Sequence, residues 1–101
     1  MAYIKRGEAL VITDASKYSV KEAEQLIKEF RENNPDVEGF SKRSDKNFLR
    51  EWAVHALAYR WGFMKSKAKD AFLQFDMDPE VKLMYDILGP IAILILKFYK
   101  K

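Results

Sequence analysis

The stretch DKNFLREWAVHALAYRWG, residues 45–62, decides the fold. Advancing about 100° per residue, Phe48, Trp52, His55 and Tyr59 gather within about 60° of arc, flanked by Leu49 and Ala56. Lys46, Arg50 and Arg60 fall on the far side. Ser44 or Asp45 suits the N-cap, and Gly62 suits the position just past the end. The spacing therefore predicts a helix of about four turns with an aromatic core face and a basic outer face.

Toward the N-terminus, Ser19 and Glu22 stand three residues apart, as in a capping box where each side chain accepts from the other residue's backbone N–H. Val20, Ala23, Leu26, Ile27 and Phe30 then form one apolar stripe, and Asn33-Asn34-Pro35 ends the helix. Residues 34–44 read as a turn-rich connector. Ala9–Thr13 has strand character, but residues 1–8 read equally well as a flexible arm.

Toward the C-terminus, a short helix is expected around Lys67–Phe75, on a poor period. A longer one opens with Asp78 as N-cap, Pro79 at its first position and Glu80 in its first turn. Gly89-Pro90 predicts a kink or break, because proline removes one helical hydrogen bond and clashes with the preceding turn. The segment beyond, IAILILKFYKK, is apolar on every side for six residues. Burial as a helix is preferred; the alternation Ile91, Ile93, Ile95 keeps a buried strand open.

With 49% hydrophobic and 33% charged residues over 101 positions, the chain is expected to fold as one domain, residues 1–101, and disorder is excluded. The absence of cysteine excludes disulfides and thiolate metal sites. Ala9 to Ile12 is the longest apolar run near the start, too short for a secretion signal, so a cytoplasmic location is expected. Charge is uneven: residues 40–69 carry eight basic and two acidic side chains, whereas residues 70–96 carry one basic and five acidic.

The segment NFLREWAVHALAYRWGFMKSKAKD, residues 47–70, resembles a group of short bacterial proteins. The likeness rests on Phe48, Leu49, Arg50, Glu51, Trp52, His55, Tyr59, Gly62, Lys65, Ser66, Lys69 and Asp70. It covers about a quarter of the chain. No activity, ligand or catalytic residue is attached to that group, so the resemblance implies no function.

His55 is the sole histidine and has neither nucleophile nor metal-ligand companions at useful spacing, so it reads as a partly buried, hydrogen-bonded core residue. Glu51 is not assigned to it as a dyad. Asp76, Asp78 and Glu80 alternate as in a cation loop, but Val81 and Ile87 stand where such a loop needs glycine and glutamate. The helix start explains Asp78 and Glu80 instead. No cofactor or metal is expected. Lys42, Arg43, Lys46, Arg50, Arg60, Lys65, Lys67 and Lys69 form a candidate anion or nucleic-acid face. Pairing with acidic neighbours explains them as well.

The sequence thus predicts a mainly α domain, a small bundle of three to four helices with room for one short N-terminal strand. Its expected core is Leu26, Ile27, Phe30, Phe48, Leu49, Trp52, Tyr59, Met84, Leu88, Ile91, Leu94 and Ile95. By elimination the expected function is a non-enzymatic protein-interaction module, self-associating as a homodimer through the terminal helix. The alternatives are nucleic-acid binding through the basic face, and peripheral membrane association through the C-terminal apolar segment and Lys97, Lys100 and Lys101.

Overall fold

A computed structural model describes residues 3–6 (backbone alone), 9–33, 44–61, 70–75 and 78–98, with the Tyr3 side chain also placed. The described chain is mainly helical. Three helices, α1 (Val20–Asn33), α2 (Asp45–Trp61) and α3 (Pro79–Phe98), accompany a three-stranded antiparallel sheet. Its strands are β1 (Tyr3–Arg6), β2 (Ala9–Ile12) and β3 (Ala71–Gln74), in the order β1-β2-β3.

The sheet revises two expectations. Tyr3–Arg6, read as part of an arm, pairs with β2, Tyr3 opposite Ile12 and Arg6 opposite Ala9. Ala71–Gln74, inside the expected short helix, is a strand pairing with β2, Leu10 opposite Leu73. Its burial alternates, with Ala71 and Leu73 inward and Phe72 and Gln74 outward, which is the two-residue period of a one-sided strand. The central strand β2 is buried at all four positions, so it carries no polar alternation to read.

Helix α1 begins as its capping box requires. The Ser19 N–H donates to Glu22 Oε1 at 2.9 Å, and the Glu22 N–H donates to Ser19 Oγ at 3.2 Å. Ala23, Ile27 and Phe30 are its buried stripe. Phe30 sits edge-on to Tyr3 and near Phe75, so one ring joins α1 to both ends of the sheet.

Helix α2 is the centre of the molecule, packed against α1, α3, β3 and a short 3-10 turn at Ala15–Lys17. Asn47, Phe48, Leu49, Glu51, Trp52, Ala53, Ala56 and Leu57 are all buried, and they fall almost all the way round the helix. The expected basic outer face is therefore reduced to exposed Lys46, with Arg50 and Arg60 half-buried. The indole N–H of Trp52 donates to the Ala15 carbonyl at 3.0 Å, and Arg60 donates to the Ser16 carbonyl through Nε and Nη2. Two α2 side chains thus hold the turn that follows β2. Asp14 enters that turn in the left-handed region, φ 50°, which aspartate tolerates, and its N–H donates to Asp70 Oδ1 at 3.1 Å.

Candidate interaction surface

Helix α3 is held to α2 by small residues and polar contacts. Tyr85, Gly89, Ala92 and Leu96 are its buried positions, spaced four, three and four residues apart along one side. At Gly89 the two helices nearly touch: a Cβ there would lie 2.2 Å from Arg50 Cβ and 2.9 Å from Arg50 Cα. Only glycine permits this approach. One turn earlier, Asp86 Oδ1 accepts from Asn47 Nδ2 at 2.8 Å and from Arg50 Nη1 at 3.2 Å. Among the described residues no buried side-chain nitrogen or oxygen lacks a partner.

This seating decides what faces outward. The helix runs unbroken through Pro90, so of the expected kink or break the break does not occur. With glycine and alanine turned inward, the large residues are left outside: Ile87 is 58% exposed, Ile91 55%, Leu94 58% and Phe98 76%. Met84 and Leu88 are exposed beside them. Four of these, Met84, Leu88, Ile91 and Leu94, were expected in the core, and the structure corrects that. The core on α3 is Tyr85, Gly89, Ala92 and Leu96, with Ile93 and Ile95 packed partly against it. Hydrophobicity alone does not choose the inward face of α3; backbone approach at Gly89 does. Glycine and alanine spaced three apart were the signal available in the sequence.

Of the candidate anion face, Lys46, Arg50 and Arg60 lie within the described residues; Lys42, Arg43, Lys65, Lys67 and Lys69 lie outside them. Arg60 is turned to the Ser16 carbonyl and Arg50 to Asp86, so these two do not converge on a common point. Lys46 and Arg50 do meet Lys97 around a cleft of about 350 Å³, with Glu24 opposite and Leu49, Pro90, Ile93 and Leu94 as apolar walls. The cleft borders the exposed face of α3 through Leu94 and Pro90.

His55 is half-buried, and its Nε2 stands 3.3 Å from the Tyr85 hydroxyl, within hydrogen-bond reach. Glu51, set aside as its partner, is four residues earlier, one helical turn, and its carboxylate is 3.9 Å from Nε2. This Glu51–His55–Tyr85 line lies at the α2–α3 contact. Glu51 and Tyr85 are both buried, which marks the line as a helix-joining contact. Asp78 caps α3, its carbonyl accepting from the Lys82 N–H at 2.9 Å, as expected. Asp76 lies outside the described residues. Among those described, no group of histidine and carboxylate side chains is arranged to hold a metal ion.

No protein-family model matches the chain, and no curated protein or solved structure matches it significantly. Within the segment 47–70, Phe48, Leu49, Glu51 and Trp52 are buried in α2. These four serve the fold.

Proposed function

We propose that this protein is a self-associating interaction module whose contact surface is the outer face of α3. The observation that carries the proposal is the row Ile87, Ile91, Leu94 and Phe98, each more than half exposed on a helix whose inner face is already satisfied. Complete burial of one such side chain is worth about 1.5–3 kcal/mol, so leaving a row of them in water forfeits several kcal/mol that a partner recovers. Monomeric proteins rarely carry so continuous an apolar strip without using it.

The two rival readings draw less support. For nucleic acid, Arg50 and Arg60 are already engaged within the chain. For a membrane surface, Lys97 stands at the margin of the strip, but the first turn of α3 carries Glu80 and its N-cap is Asp78, which anionic headgroups repel. No helix among the described residues is long and apolar enough to cross a membrane.

Hydroxyl-radical footprinting read by mass spectrometry tests the proposal. Modification of Met84 and Phe98 should fall as protein concentration rises, while that of exposed Trp61, on another helix, stays constant. Modification of Met84 and Phe98 that stays constant across the concentration range contradicts it.

A further inference from the structure

We infer that the cleft bordered by Lys46, Arg50 and Lys97 binds a small amphipathic monoanion, a carboxylate carrying a short aliphatic body. The inference goes beyond the self-association proposed above and shares only Leu94 with the row that carries it. Lys46, Leu49 and Arg50 stand at positions i, i+3 and i+4 of α2, and Pro90, Ile93, Leu94 and Lys97 at i, i+3, i+4 and i+7 of α3. Such spacings lie along one side of a helix, so each helix presents a single side to the cleft. Glu24 of α1 lines it as well. Its volume of about 350 Å³ falls at the small end of ligand sites, which run from about 300 to 1,000 Å³.

Charge selects the head group. Arg50 is held in place, its Nη1 donating to Asp86 Oδ1 at 3.2 Å and its stem packed on Gly89. Asp86 balances its charge, while its remaining N–H donors stay open among the described residues. Lys46 and Lys97 are exposed, and among the described residues neither pairs with a carboxylate. Two lysines against Glu24 leave one net positive charge, which matches a carboxylate better than a doubly charged phosphate. Composition selects the body. Leu49, Pro90, Ile93 and Leu94 give nothing to a bare inorganic ion or to a nucleic-acid phosphate, whose recognition is polar and hydrated. An aliphatic body, by contrast, gains by leaving water against them.

Titration of the full chain with sodium octanoate, followed by methyl NMR, tests this. Shifts at Leu49, Ile93 and Leu94 should saturate at one octanoate per chain. Acetate and octylammonium at the same concentrations should leave those signals in place. Lys46→Gln and Lys97→Gln, both at exposed positions, should each weaken octanoate about two- to fivefold, the range an exposed ion pair supports. The double variant Lys46→Glu, Lys97→Glu should abolish binding; where circular dichroism shows it unfolded, the two glutamine variants decide. Octylammonium that binds as well as octanoate, or octanoate affinity unchanged in the lysine variants, overturns the inference by removing the cations from it. Equal shifts with acetate mean a bare anion site and overturn the amphipathic class. Shifts centred on Ile87 and Ile91 mean adsorption on the outer strip and overturn the cleft as the site. No saturable shift at all overturns it outright.

Discussion

Gly89 of α3 and Arg50 of α2 meet so closely that a side-chain carbon on the glycine would lie 2.2 Å from Arg50 Cβ. That approach seats Gly89 and Ala92 inward with Tyr85 and Leu96, and leaves Ile87, Ile91, Leu94 and Phe98 exposed.

Gly89→Ala tests the approach. In an open helix interior this change stabilises by about 0.5–1 kcal/mol, because alanine loses less backbone freedom. Here the new methyl meets the Arg50 side chain and backbone, and overpacking of this kind costs about 1–3 kcal/mol. The clash wins. Urea unfolding followed by circular dichroism should show net destabilisation, and a stabilised variant would mean the helices are not in contact there.

Asp86 contributes more through Asn47 than through Arg50. The Arg50–Asp86 ion pair is about one-third exposed on both sides, and exposed pairs are worth about 0–1 kcal/mol. Asn47 is buried, and leaving its amide without that acceptor costs about 1–3 kcal/mol. Asp86→Ala should therefore lower unfolding free energy more than Arg50→Met, which keeps the stem packed on Gly89 and removes only the guanidinium. Equal losses would contradict this ranking.

The two tryptophans give a spectroscopic check on α2. Trp52 is fully buried and donates to Ala15, whereas Trp61 is 41% exposed. Trp61→Phe should leave a blue-shifted emission resistant to acrylamide. Trp52→Phe should leave a red-shifted, readily quenched emission and lower stability by about 0.5–1.5 kcal/mol, because the indole hydrogen bond is lost while the Ala15 carbonyl still accepts from the Tyr18 N–H at 3.5 Å. Similar spectra from the two variants would place Trp52 near the surface.

Much of the helical scaffold was legible from local chemistry. The Ser19–Glu22 pair, the Asp78–Pro79 start and the start of α2 at Asp45 are signals carried by adjacent residues, and each lies where those residues put it. The sheet was largely hidden. Four-residue strands give two periods at most, β2 is buried on both faces, and its pairing with β3 spans some sixty residues, which no local pattern records. The outer face of α3 was misread for a different reason. Hydrophobicity marks Met84, Leu88, Ile91 and Leu94 as candidates for burial, but the inward face of α3 is set by shape, where Gly89, within the expected kink or break at Gly89-Pro90, packs directly on Arg50. The basic residues show the converse: charge alone suggests a shared face, while geometry spends Arg50 on Asp86 and Arg60 on a backbone carbonyl.

The outward strip of α3 as a contact between copies is tested most directly by sedimentation equilibrium of the wild-type chain beside Leu94→Glu, a change at an exposed position that leaves the core untouched. The wild type should approach twice the 11.9 kDa mass of one chain as concentration rises, and the variant should remain at the single-chain mass with unchanged helical content. A wild type that stays at the single-chain mass throughout, or a variant that associates as strongly, contradicts the account.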